Sequence, residues 1–166
     1  MRATRAVALV LLLVAVAAAS WWFFGRHASG PDSVVVYYVK AADGTTTVPW
    51  TVSLGPARDP RSVAFYAAVQ AVAGPPAGVD AVRFPAGTTV ESVNLDGSSA
   101  DVDLSKDVGA AVQGSFNEGA EFKALVYTLT ALPGISSVRV SVAGERLATL
   151  PGGHLELDEP LSRQSF

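Results

Sequence analysis

Asp101 and Asp103 stand two residues apart in ADVDLS, and Asp107 follows close behind. In an extended chain this spacing puts both carboxylates on one face. Such a pair could move protons or hold a hard cation such as Ca²⁺. No EF-hand spacing and no partner base accompany them. The plainer account is a solvated strand face, with Asp103 capping the turn that follows. His27 and His154 are the chain's only histidines. His154 lies near Glu156 and Asp158 in a Gly-rich stretch, but one histidine with flexible carboxylates falls short of a zinc site. No G-x-S-x-G elbow, P-loop or dinucleotide fingerprint occurs. Tyr37, Tyr38, Trp50, Tyr66 and Tyr127 could stack on sugars, although aromatics on apolar elements more often build a core or a sheet surface. The sequence therefore yields no catalytic residue, no cofactor-binding residue and no metal ligand, and the expectation is a non-catalytic protein without cofactors.

The elements around these residues are clearer. Val93 and Leu95 alternate with Asn94 and Asp96, and Ala100, Val102 and Leu104 alternate with Asp101 and Asp103. Asp96-Gly97 opens a turn between them, because glycine accepts positive φ at little cost. A period of two gives the hairpin a dry side and a wet side. Earlier in the chain, Val34 to Lys40 reads as a strand buried on both faces. Thr46 to Ser53 reads as a second strand, which Pro49 assigns to an edge or a bulge.

Asp59-Pro60 marks a helix start, with Asp as N-cap and Pro in the first turn. That helix runs to about Ala73 with Phe65, Val69 and Val72 on one face and Ala68 beside them. Gly74-Pro75-Pro76 stops it. Lys106 to Gln113 reads as a short helical turn. Ser115 and Glu118 have the spacing of a capping box. The second helix extends to about Leu132, with Phe122, Leu125, Val126, Leu129 and Leu132 in one stripe. Val138, Val140 and Val142 alternate with Arg139 and Ser141 in a strand. Arg146 to Leu150 adds a short strand, and the remaining chain reads as irregular surface, in which Glu156 to Leu161 could clamp the domain's own surface or meet a partner, the first being favoured.

Two amphipathic helices, each with one apolar stripe, need a sheet face to cover. The expected fold is a two-layer α+β domain over residues 34–166, with both helices on one face of a mixed or antiparallel sheet. Leu125 and Leu129 should pack on Val93, Val102 and Val140. No internal repeat is visible.

The N-terminus is different. Arg2 and Arg5 precede an uncharged run from Ala6 to Phe24, which as a helix would reach about 28 Å, close to the hydrocarbon thickness. Trp21 and Trp22 fall where an aromatic belt would meet the outer interface. Residues 1–26 are thus expected to form a transmembrane anchor or signal with a cytoplasmic N-terminus, and residues 27–33 a short linker. The rival account is a cleaved signal peptide, since Ala17-Ala18-Ala19 offers an A-x-A site. There is no cysteine, so lipid acylation, disulfides and thiolate metal sites are excluded. Beyond residue 25 ten bases meet fifteen acids, a net −5. That surface repels phosphate backbones and disfavours nucleic acid as a partner.

Phe84 to Ser105, FPAGTTVESVNLDGSSADVDLS, resembles the GerMN domain named from bacterial sporulation and spore-germination proteins. The segment EFKALVYTLTALPGISSVRVSVAG and the ending GGHLELDEPLSR agree with it, so the resemblance covers roughly Val34 to Arg163. It implies a compact α/β unit related in shape to the ring-building domains of sporulation-channel proteins. Together with the N-terminal anchor and the absent catalytic set, it leads to the expectation of a non-catalytic, single-pass, membrane-anchored extracytoplasmic domain that assembles with an envelope protein or with itself. GerMN domains occur in tandem or in lipoproteins, whereas this chain shows one copy and no lipidation cysteine. An alternative is a peptidoglycan-binding module that uses exposed aromatics and carboxylates.

Overall fold

The structure, a computed structural model, describes residues 32–55, 59–110, 115–151 and 153–166. The expected anchor with Trp21 and Trp22, His27 and most of the 27–33 linker lie outside the described residues. Among the described residues, no helix is long and apolar enough to cross a membrane.

The chain opens on a hairpin of β1 (Ser33–Val39) and β2 (Thr47–Ser53), paired antiparallel with Val36 opposite Trp50. Helix α1 (Pro60–Ala73) follows, and Asp59 caps it through its side chain on the Ser62 N–H at 2.9 Å. β3 (Val90–Asp96) and β4 (Ser99–Leu104) form a second antiparallel hairpin. Its connection is Gly97-Ser98, with Gly97 at φ 57, where an L side chain would be strained. A 3-10 turn (Lys106–Gly109) leads towards α2 (Ser115–Leu129). α2 is the crossover that allows β5 (Ser137–Val142) to lie parallel to β4, with Val102 beside Val140.

The expectation of a single sheet needs correcting: β1–β2 and β3–β4–β5 are separate sheets. The outer edge of β1 is occupied by helix and loop instead of strand. The Tyr37 N–H donates to Thr128 Oγ1 on α2 at 2.9 Å, and the Val82 N–H donates to the Val39 carbonyl at 2.9 Å. Those bonds occupy the Tyr37–Val39 end of the β1 edge, where a third strand would otherwise pair. The α+β class holds, with two helices packed against both sheets.

One main core joins the layers. Phe122, Leu125, Val126 and Leu129 of α2 are fully buried with Val93, Val102, Val138 and Val140. The α1 face differs from expectation. Its buried residues are Val63, Ala64, Ala67, Ala68, Ala71 and Val72, while Phe65 is exposed. α1 touches β1, β3 and α2 together, and only small side chains let one helix approach three elements. β1 is also less buried than expected. Val34, Val36 and Tyr38 are inside, but Val35 is exposed and Tyr37 half-buried; only Val39, against Ala120 and Ala124, closes the second face. Leu95, expected on the dry face, is exposed at the turn end of β3.

Two boundaries shift. α2 ends at Leu129, and the chain continues to Leu132 in tighter turns such as Leu132 N–H to Leu129 carbonyl at 3.0 Å. Arg146 to Leu150 forms no strand; after the tight turn at Ala143-Gly144 a single bridge joins Val142 and Glu145. The ending is more than surface chain. Leu150, Leu157 and Leu161 are buried, and Leu161 exchanges both backbone hydrogen bonds with Val138 at 2.8 Å.

Candidate functional site

The carboxylates that could have made a site are used in holding the fold. Asp101 pairs in register with Arg139, whose guanidinium lies 3.6 Å from one carboxylate oxygen, and Arg146 lies 4.0 Å from the other. Arg139 also faces Asp96 at 3.9 Å. Asp103 accepts from Ser141 Oγ at 2.8 Å and from the Gly144 N–H at 2.9 Å. It therefore caps the turn after β5, not the one after β4 as expected. Asp107 accepts from Ser105 Oγ at 3.4 Å. Asp101 and Asp103 share a face of β4 and Asp107 lies in the 3-10 turn beyond it; the three aim at different tasks, so their spacing makes no acid–base pair.

His154, Glu156 and Asp158 do not converge either, and no group of three metal-ligating side chains occurs among the described residues. His154 is tied down by Glu118. This buried carboxylate on α2 accepts the His154 N–H at 2.7 Å and the Leu155 N–H at 3.4 Å, with His154 Nδ1 3.9 Å away. Glu118 was expected to serve a capping box. Its carboxylate is turned instead towards the C-terminal segment, a partnership that no local sequence spacing discloses. Gly153 lies so close that a Cβ there would run into that carboxylate.

The aromatics divide into separate groups. Tyr38 is buried, its hydroxyl donating to the Gln70 carbonyl at 3.3 Å; burial raises its pKa, with Arg83 pulling the other way. Tyr66 is packed against the core. Tyr37 and Tyr127 meet edge to face at 6.1 Å, and the Arg163 guanidinium covers both, 5.6 and 4.8 Å from the ring centres. Arg163 is fixed there by Thr130 Oγ1 at 2.9 Å and the Tyr127 carbonyl at 3.1 Å. A sugar would have to displace it to stack on these rings. Trp50, on β2, is 43% exposed.

Two surface grooves are formed by described residues alone. One of about 470 Å³ lies between the start of α1 and β3, lined by Asp59, Arg61, Ser62, Phe65, Glu91, Ser92 and Val93. The Arg61 Nε donates to the Val93 carbonyl at 2.9 Å and so closes part of the β3 edge. The other, of about 390 Å³, is lined by His154, Leu155, Glu156, Glu159, Pro160, Leu161 and Ser165. Each holds a serine and a possible base, Ser62 with Asp59 and Ser165 with His154, but Asp59 is used as the cap of α1 and Ser165 Oγ accepts the Ser162 N–H at 3.0 Å.

The edges of the two sheets are more informative. β1 is covered by Thr128 and Val82, β3 is met by Arg61, and β5 is bridged by Leu161. Among the described residues, the outer edge of β2 carries no hydrogen-bond partner. Pro49 sits on this strand, which is an edge as expected.

Comparison with known proteins agrees with this geometry. The family model described as "Germane: Sporulation and spore germination" matches residues 35–148. The first GerMN domain of the sporulation protein GerM from Bacillus subtilis is similar at 25% identity and TM-score 0.63, over 80% of this chain and 98% of that one. The tandem GerMN domains of the same protein align at 25% identity and TM-score 0.62, over 81% of this chain; the match spans about half, 47%, of the tandem chain. A putative lipoprotein from Clostridium perfringens shares the fold at 18% identity and TM-score 0.59, over 81% of this chain and 89% of that one. No curated protein matches.

Proposed function

The chain belongs to the Germane family of sporulation and spore-germination domains, and on that premise we propose that it is a non-catalytic, extracytoplasmic domain that assembles with other proteins of the cell envelope. Residues 1–26 tether it to the membrane, and the folded domain lies outside. Tethering raises its effective concentration towards other envelope proteins, so a weak contact suffices. The observation that carries this reading is the distribution of polar groups. The clustered acids serve internal contacts, while the β2 edge keeps an unused ladder, and strand addition needs no special side-chain chemistry.

Zero-length crosslinking of the full-length chain in native membranes tests the proposal. The expected result is a covalent adduct with itself or with another envelope protein. Recovery of monomer alone, across several reagents and growth stages, would overturn it. Retention on purified peptidoglycan would then favour a wall-binding module. Orientation is read separately. Ser98 lies in the exposed β3–β4 turn, so a Ser98→Cys chain should react with a membrane-impermeant thiol reagent in intact cells whose outer layers admit it. Labelling only after lysis would exclude an extracytoplasmic domain.

A further inference from the structure

We infer that β2 pairs with β2 of a second copy of this chain, antiparallel about a two-fold axis at Trp50. This names the partner for the assembly role proposed above and rests on that reading for the setting in which the copies meet.

Hydrogen-bond parity shows which groups are free. The Lys40 N–H donates to the Thr46 carbonyl and the Leu54 N–H to the Asp32 carbonyl, each at 2.9 Å. Antiparallel pairs alternate between bonded and non-bonded. Val48, Trp50 and Val52 therefore spend their backbone groups on β1, and Thr47, Pro49, Thr51 and Ser53 turn theirs outward. The other side of the hairpin obeys the same alternation, since Tyr37 and Val39 bond outward to Thr128 and Val82. Pro49 thus costs the hairpin nothing and deletes one donor from the free edge.

That deletion selects a register. With Trp50 opposite Trp50, Thr47 meets Ser53 and Pro49 meets Thr51. About six cross-strand bonds form, because each Pro49 still accepts from the opposing Thr51 N–H. Centring on Pro49 sets two prolines opposite each other and loses both bonds between them. Centring on Thr51 sets Pro49 against Ser53, and about four bonds remain.

Charge and side chains favour a like copy. Natural edges are blunted by charged residues or proline; Thr47–Ser53 has Pro49 but no charge, in a domain whose net charge beyond residue 25 is −5. An uncharged strip is where two equally acidic copies can approach. Trp50, 43% exposed, would stand in a non-bonded pair, where side chains come closest.

The chain has no cysteine, so introduced thiols report the register without background from the chain itself. Differently tagged full-length chains carrying Val48→Cys or Val52→Cys are co-expressed in native membranes under mild oxidation. In the inferred register Val48 of one copy faces Val52 of the other at about 4.5 Å between Cα atoms, within disulfide reach. Two Val48 residues are about 14 Å apart, beyond it. The expected result is a mixed disulfide between the two variants, with little from either alone. Trp50→Lys, which sets two ammonium groups face to face, should abolish the mixed disulfide while leaving the thermal midpoint near that of the parent. A mixed pair that crosslinks no better than the single variants overturns the inference. If zero-length adducts with another envelope protein persist in that case, the assembly reading stands and only the self-pairing is lost.

Discussion

Glu118→Ala should loosen the C-terminal segment from α2 without unfolding the domain. The wild-type carboxylate is 3% exposed and accepts two backbone N–H groups, at 2.7 and 3.4 Å. The first is a short, charge-assisted bond; the second is long enough to count for little. Removing an ionised acceptor from a part-buried N–H costs about 1.5–3 kcal/mol. Equilibrium denaturation should show the midpoint shift with an unchanged slope. Hydrogen exchange should locate it, with faster exchange at His154 and Leu155 while Val102 and Val140 keep their protection. Glu118→Gln retains one acceptor oxygen and should fall between the two. If Glu118→Ala matches wild type in both stability and exchange at His154, the reasoning that this carboxylate fastens the segment is wrong.

Leu125 is fully buried in the main core, so Leu125→Ala should cost about 2–5 kcal/mol; a denaturation midpoint within error of wild type would refute the packing of α2 on the three-stranded sheet. Ala143 holds φ 51 in the turn after β5, and Ala143→Gly should stabilise by up to about 1 kcal/mol by relieving the left-handed conformation; a lower midpoint would count against it. Asp43 and Asp59 both titrate below the ordinary aspartate range. Asp43 is held there by the Thr46 N–H, the Thr46 hydroxyl and the Thr45 N–H, and Asp59 by Ser62. Their folded pKa values are depressed, so their contribution is complete above the unfolded value of about 3.9 and is lost as pH falls through the folded ones. Asp43→Asn should therefore flatten the fall in stability below about pH 4, measured by thermal melts over an acid series.

The parts of the fold that were legible in the sequence are those set by local chemistry. Asp59-Pro60 and Gly74 fix α1 within one turn of backbone, because an N-cap oxygen and a C-terminal glycine act on their own neighbours. Gly97 marks the β3–β4 turn for the same reason. The inward face of α1 was legible in part: Ala68 and Val72 are buried and Val69 packs against the core as expected, but Phe65 is exposed. The approach of α1 to β1, β3 and α2 centres the buried face on Ala64, Ala67, Ala68 and Ala71 instead. The division into two sheets was hidden for a similar reason. It involves Thr128, a hydroxyl in the last turn of α2, reaching a strand 91 residues earlier in the chain. The C-terminal leucines lack any period, because Leu150, Leu157 and Leu161 enter the core from irregular chain.

The carboxylate pattern of β4 shows why site chemistry is harder to read than fold. Two aspartates at strand spacing define a face, but what they do depends on the neighbouring strand. Here β5 sets Arg139 beside Asp101 and Ser141 beside Asp103 in parallel register. The same pattern next to a strand without those partners would leave two adjacent anions and a site for a cation. Asp103 fixes the turn that follows β5, Glu118 fastens the segment whose Leu161 then seals β5's outer edge, and Thr128 seals the edge of β1. Polar side chains in this domain largely close edges and turns. The β2 edge is left open among the described residues and free of charge along its length, which is why the proposed pairing is placed there.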